Sequence, residues 1–278
     1  MKPINRILAI ALLAALPAGF AFAQSSPAAA AKTSPAAAAK TSPAATAKTS
    51  ASPAMTTSPA TTTTTTATTS ASPAARTDVY HVHFTHAAPG KANALADSLK
   101  QADPTAPMPG HTVMFRHQNG DSWDYAVIQH LGPKFTLDAA RPAVAPAARD
   151  LSDWHTDTYV NGPAWADFAK AMGINEGAGK SAVYIVSVYR TVPGHREQLD
   201  TELNSQSPGD PVAGTVVMQH LEGAAWTFVA VVRYATWEDF VKSETISAAE
   251  QAKGSGGWAR LRDHSSYHTD TLTDRILP

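Results

Sequence analysis

The chain has 278 residues, 44% hydrophobic and 16% charged, with 22 basic and 23 acidic side chains, 11 histidines and no cysteine. The lack of cysteine excludes a disulfide framework and a lipid-anchored lipoprotein, so any fold must hold by its core alone. Five basic residues (Lys2, Arg6, Lys32, Lys40 and Lys48) and no acidic one precede Arg76, leaving 17 basic against 23 acidic from there on, a balance without the electrostatic footprint that nucleic acid requires.

In chain order, Lys2 and Arg6 are followed by the apolar run Ile7–Leu16, Pro17, and Ala21-Phe22-Ala23 before Gln24. That layout predicts a secretory signal peptide over residues 1–23, and the run is short of the roughly 20 apolar residues of a spanning helix. We therefore expect a periplasmic or secreted protein with no stable membrane span after cleavage. Residues 24–76 open with SSPAAAAK, TSPAAAAK and TSPAATAK, an eight-residue period, and continue through Thr61–Thr66 without an aromatic residue. Nothing there can bury a core, and the recurrent Pro interrupts helix, which predicts a disordered Ala/Pro/Thr/Ser linker.

From residue 77 the pattern changes to alternating apolar and polar residues, and it occurs twice. Val79-Tyr80-His81-Val82-His83-Phe84 before Pro89-Gly90 returns as Val183-Tyr184-Ile185-Val186-Ser187-Val188 before Pro193-Gly194, an offset of 104. Thr112-Val113 with His117, Gly120 and Trp123 returns as Thr215-Val216 with His220, Gly223 and Trp226, an offset of 103. His155-Thr156-Asp157-Thr158 returns as His268-Thr269-Asp270-Thr271, an offset of 113. A period near one hundred is too long for a solenoid unit and predicts a tandem duplication, with halves at residues 77–175 and 176–278.

Within each half the alternation over Val79–Thr85 and Ala182–Arg190 predicts a first strand. Leu95 and Leu99, like Leu199 and Leu203, give the next helix an apolar stripe. His111–His117 with Trp123–His130, and Thr215–His220 with Trp226–Tyr234, predict a β-hairpin around Asn119-Gly120 or Glu222-Gly223. Trp237–Lys242 and Ile246–Lys253 then read as helical pieces in the second half, with a Pro-interrupted Leu137–Arg149 as the first-half counterpart. The His-Thr-Asp-Thr segments close each half, for β-α-β-β-α-β twice. The predicted class is α+β.

That duplicated order resembles the dimeric α/β-barrel superfamily, in which ferredoxin-like units pair sheet to sheet, over roughly residues 77–278. The resemblance implies two ferredoxin-like halves in one chain forming a pseudo-dimeric barrel, hence a monomer. The superfamily includes antibiotic-biosynthesis-type and haem-degrading monooxygenases and stress-responsive proteins, so it leaves the activity open.

Several residues are candidates for chemistry. His81 and His83 are two apart on a strand and so share a face, where the second half has Ile185 and Ser187. Facing the barrel interior, they would suit metal, haem or acid–base work; on an outer face, they would satisfy local hydrogen bonds. His117 and His220, with Trp123 and Trp226, suit the rim of a cavity for a planar ligand, or simply core packing. His155, Asp157, His268 and Asp270 recur in both halves, which favours a structural use at the junction of the halves. His130, His195 and His264 are expected at the surface. No metal-ligand spacing, Gly-rich phosphate loop or Gly-x-Ser-x-Gly motif is present. The sequence assigns no catalytic residue and no cofactor. We expect a module binding a small hydrophobic or planar ligand or an envelope protein; the alternative is a monooxygenase-like or haem-handling enzyme with a His-lined cavity.

Overall fold

The computed structural model describes residues 75–101, 106–133, 150–174, 181–254 and 257–278. The expected signal peptide, all of the expected linker except residues 75 and 76, and the whole of the helix expected over Leu137–Arg149 lie outside these residues. Arg76 is already part of the fold. Its guanidinium makes two hydrogen bonds to Asp200, at 2.6 and 2.7 Å, and donates from Nε to the Val217 carbonyl.

Eight strands form one closed antiparallel barrel: β1 (Asp78–Ala87), β2 (Thr112–Asn119), β3 (Tyr125–Pro133), β4 (Ser152–Gly162), β5 (Val183–Thr191), β6 (Val212–Glu222), β7 (Phe228–Tyr234) and β8 (Ser265–Leu277). Around the barrel they run β1-β3-β2-β8-β5-β7-β6-β4, and β4 returns to β1. The first four strands thus lie in the order β4-β1-β3-β2 and the last four in the order β8-β5-β7-β6. Two seams join the sets, β2 on β8 (Met114↔Leu277 to Asn119↔Leu272) and β4 on β6 (Tyr159↔Glu222 to Asn161↔Gln219). The first seam also carries a two-pronged contact from Arg116 to Asp274, at 3.1 and 2.6 Å.

Strand alternation sets what is inside. Tyr80, Val82 and Phe84 of β1 join Val113, Phe115, Ala126, Ile128, Tyr184, Val186, Val216, Met218, Val229 and Val231 in one interior core. The intervening residues face outward. There α1 (Ala92–Leu99) covers Met114, Tyr125 and Val127 with Leu95, and α3 (Arg196–Leu203) covers Val217, Phe228 and Ala230 with Leu199.

The helices depart from the sequence reading in three ways. A helix α2 (Trp165–Ala171) follows β4, where none was expected, and Phe168 and Met172 are wholly buried in the interior core. The pieces expected at Trp237–Lys242 and Ile246–Lys253 form one helix, α4 (Trp237–Ala252). Thr236 starts it by accepting from the Asp239 amide, Glu238 and Asp239 suit its first-turn dipole, and Ser243–Thr245 contain no breaker. A short α5 (Gly257–Arg262) follows the glycine break. Among the described residues no helix is long and apolar enough to cross a membrane.

Each β-hairpin tip lies on a closing strand of the other set. Gly120 (φ +134) and Gly223 (φ +109) sit so close to β8 and β4 that an added Cβ would lie 2.5 Å from the Asp270 carbonyl oxygen and 2.2 Å from that of Asp157. Gly223→Ala would force a left-handed φ on a side-chain-bearing residue and push its methyl into backbone, which cannot rotate away. We expect a loss of about 2–4 kcal/mol from these two terms, lowering Tm by roughly 5–15 °C for a fold of this size. Gly209→Ala, at φ +79 in open space, should lose only the conformational part, about 1 kcal/mol. Thermal unfolding of both variants checks this, and equal losses would count against the seam contact.

Candidate functional site

Three groups of side chains stand out, one at an end of the barrel, one on its outer face and one against the α2 end. The first is an open cleft of about 370 Å³. Phe84 and Val188 form its floor, Trp123 and Trp226 come from the two hairpins, and Trp154 and Tyr267 from the starts of β4 and β8. These are sequence-matched pairs, so the cleft is built from the same positions of both strand sets. Tyr80 and Phe84 are four residues apart on β1, roughly 13 Å along a strand, which places the cleft at the end opposite α2. Trp123 and Trp226 pack on the interior core, while Trp154 and Tyr267 are 43% and 46% exposed.

His117 and His220 stand edge-on behind the two hairpin tryptophans, at centroid distances of 5.9 and 5.6 Å. They are not wall residues. His220 Nε2 accepts from the Ala224 amide, and burial holds its imidazole below the usual value. His117 Nε2 is buried without a hydrogen-bond partner among the described residues. Two larger hollows, of about 520 and 470 Å³, each have a single aromatic side chain in their walls, Trp237 and Tyr234. Among these hollows, the cleft between the hairpins offers a flat ligand stacking partners from several directions.

The second group lies outside the barrel. His81 and His83 fall on the outer face of β1 because Tyr80, Val82 and Phe84 take the inner one, so the barrel-facing site considered for them does not form. Both meet Asp157 of β4 instead: His81 Nε2 lies 2.9 Å and His83 Nδ1 2.8 Å from the same oxygen, Oδ1. A carboxylate only accepts, so both of these nitrogens carry a proton, and in the neutral rings His81 Nδ1 and His83 Nε2 are the lone-pair nitrogens. Neither has a hydrogen bond to another described residue. His155 approaches Oδ2 at 3.6 Å, too far to bond, and its ring packs on that of His83.

This geometry orients two imidazoles as bases or ligands with one shared carboxylate behind them. Among the described residues no group of three or more His, Cys, Asp or Glu side chains is arranged to hold a metal ion. At the matched positions Ser187 donates to Asp270 at 2.6 Å, His268 Nε2 lies 3.1 Å from the other Asp270 oxygen, and Trp258 of α5 covers the His268 ring. Burial pushes the Asp270 carboxyl up, but bonds from His268 and Ser187 hold it below the usual range.

The third group was not found from the sequence. His130, expected at the surface, is 3% exposed: it points inward from β3, as its spacing from Ala126 and Ile128 requires. Its Nε2 donates to Asp78 at 2.7 Å, and its Nδ1 lies 3.0 Å from Nδ1 of His111. With the carboxylate fixing the His130 tautomer, His111 must donate to His130, and His111 Nε2 becomes the basic end of a three-member chain. Trp165 of α2 stacks on His111 at 4.4 Å and an interplanar angle of 9°. Burial, helped by His111, holds the His130 imidazole below its usual value despite Asp78. The matched position is Arg233, which with Arg275 donates to the carbonyls at and just past the end of α2, Ala171, Met172 and Gly173. His195 and His264, also expected at the surface, are half-buried and pair through their Nδ1 atoms at 3.0 Å.

No protein-family model matches the chain, and no curated protein is significantly similar to it. Solved structures match in shape. An anthrone oxidase-like protein is similar over 73% of this chain and 92% of its own, with a TM-score of 0.50 and 14% identity. A provisionally designated monooxygenase of Lactobacillus acidophilus NCFM matches over 72% of this chain and 94% of its own, with a TM-score of 0.40 and 9% identity. The likeness is one of fold, an α+β closed barrel of eight antiparallel strands. At 14% identity the likeness concerns the fold and carries no residue's role across.

Hydrogen bonds from His81 and His83 hold the Asp157 carboxyl well below the usual carboxylate range. An acid whose folded pKa lies below its unfolded value of about 3.9 stabilises the fold above that pH and loses this contribution as the pH falls further. Asp157→Asn should therefore be less stable than the parent at pH 6, and the gap should narrow below about pH 4. Urea unfolding of both proteins across this range checks it. A gap independent of pH would mean that the carboxylate is not held by its imidazoles.

Proposed function

We propose that this chain is an exported small-ligand-binding module of the cell envelope, whose ligand is flat and aromatic and enters the cleft between the two hairpins. The observation that carries the reading is the cleft's wall: Trp123, Trp226, Trp154, Tyr267 and Phe84 converge on one opening, two of them with large exposed surfaces. Aromatic side chains favour offset or edge-on contact with other rings and add to what area burial alone supplies.

The wider reading fits this. The three sequence matches and the two identical strand orders support a tandem duplication of a ferredoxin-like unit over residues 77–175 and 176–278. Both partners of the barrel are then in one chain, and the molecule works as a monomer with a pseudo-twofold axis through the cleft. The predicted signal peptide and linker support export to the periplasm or beyond, with the barrel tethered or free at the end of a spacer.

A second reading is an enzyme of the monooxygenase-like kind. One observation favours it: His81 and His83 share Asp157 on one strand set and have no counterpart on the other, where Ile185 and Ser187 stand. The two readings place the ligand on different sides of the sheet.

Isothermal titration of the full chain with 2-naphthamide, a neutral flat probe, tests the first. Trp154→Ala and Tyr267→Ala, both at exposed side chains, should each weaken binding about five- to tenfold through lost stacking. His81→Ala/His83→Ala should leave the affinity unchanged. Binding lost in the histidine variant and kept in the aromatic ones would move the site to the outer face.

A further inference from the structure

The cleft is twofold in its aromatic pairs but not in its polar groups. Asp121 and Ser122 of the first hairpin correspond to Ala224 and Ala225 of the second. Arg190, the one cation among the described wall residues, corresponds to His86, which is bound to Asp153 at 2.6 Å and does not line the cleft. The polar groups therefore break the twofold symmetry of the cleft.

Arg190 is held as a receptor rather than as a lone surface charge. Its Nε donates to the Ala225 carbonyl at 2.8 Å, and its guanidinium lies 5.5 Å from the centroid of the Tyr267 ring. These two contacts restrain the side chain, while the two terminal nitrogens make no hydrogen bond to another described residue. Four other arginines are held by acceptors, Arg76 by Asp200, Arg116 by Asp274, Arg260 by Glu202 and Arg275 by backbone carbonyls, while Arg196 and Arg262 do not line the cleft. In a region with 17 basic against 23 acidic residues, an arginine with an open fork at an aromatic cleft is set apart. The acidic wall residue, Asp121, is committed to its own surroundings, accepting from the Ser122 amide at 2.7 Å and from Thr269 at 3.2 Å.

We infer that the cleft takes a flat aromatic carboxylate in one orientation, the ring against the tryptophans and the acid group in the terminal fork of Arg190; this rests on the aromatic-cleft reading above. The pairing follows from shape, because a guanidinium edge and a carboxylate match with two parallel hydrogen bonds, which an ammonium cannot reproduce. The orientation follows from the single fork: His86, at the position matched to Arg190, is bound to Asp153 and does not line the cleft, so the pseudo-twofold cleft does not bind the ligand in two equivalent ways.

The test compares 2-naphthoate with its neutral isostere 2-naphthamide by isothermal titration on the full chain, on Arg190→Gln and on Arg190→Lys, with a thermal melt of each variant to confirm folding. The expected result is a preference of about tenfold for the carboxylate, the scale of a partly exposed charge-assisted pair, lost in Arg190→Gln and only partly kept in Arg190→Lys. Equal affinity of the parent for both probes would overturn the role of Arg190 and leave the aromatic cleft standing. A preference that persists in Arg190→Gln would also overturn it. Binding of neither probe would remove the cleft reading and this inference together.

Discussion

Closure of the sheet at two seams is the constraint on which the rest depends. Four strands in the order β4-β1-β3-β2 leave open edges at β4 and β2, and the second set leaves the same at β8 and β6. Pairing β2 with β8 and β4 with β6 removes all four edges and turns two half-cores into one interior. It also brings each hairpin over the other set's closing strand, where Gly120 and Gly223 permit backbone contact, and this is what draws Trp123 and Trp226 together at one end.

The other end is closed by chain that belongs to neither sheet pattern. After β4, α2 runs into the core with Trp165, Phe168 and Met172, and Tyr80 and Tyr184 anchor its flanks by donating to the Pro163 and Met172 carbonyls. Arg233 donates to the Ala171 carbonyl and Arg275 to those of Met172 and Gly173, so two nearly buried arginines find use as caps for a helix end. On the matched side, His130 and Asp78 occupy the corresponding space. The barrel is therefore twofold in its strands and one-sided in its polar interior.

The sheet also separates two kinds of chemistry. Inside its open end stand aromatic faces and one arginine fork; outside stand imidazoles that share a carboxylate. A residue on β1 belongs to one or the other by parity alone: Phe84 lines the cleft, and His83, its neighbour in sequence, meets Asp157. A flat anion and an acid–base reaction would thus engage different surfaces of the same strand, which is why substitutions on the two faces separate the two functional readings.

Much of the fold was legible because it is encoded within a few residues. Alternation over Val79–Thr85 gave β1 within two residues of its ends, the Leu95/Leu99 and Leu199/Leu203 stripes gave α1 and α3, and the repeated Gly and Trp positions gave both hairpins. The helix α2 had a readable signal in Trp165, Phe168, Ala169 and Met172, spaced i, i+3, i+4 and i+7 after Pro163, and the inward parity of His130 followed from Ala126 and Ile128. The sequence by itself thus determined the eight strands, α1 and α3, their order and which side chains of a strand share a face, because these depend on dihedral periodicities of two and 3.6 residues; which face His81 and His83 take was left open. Only the tertiary structure decided that His81 and His83 share Asp157, that His130 bridges Asp78 and His111, and that Arg190 and five aromatic side chains meet in one cleft. Such meetings join strands up to more than one hundred residues apart. They follow from the register in which a closed barrel buries its common core, a property of the whole sheet that no short stretch of chain records.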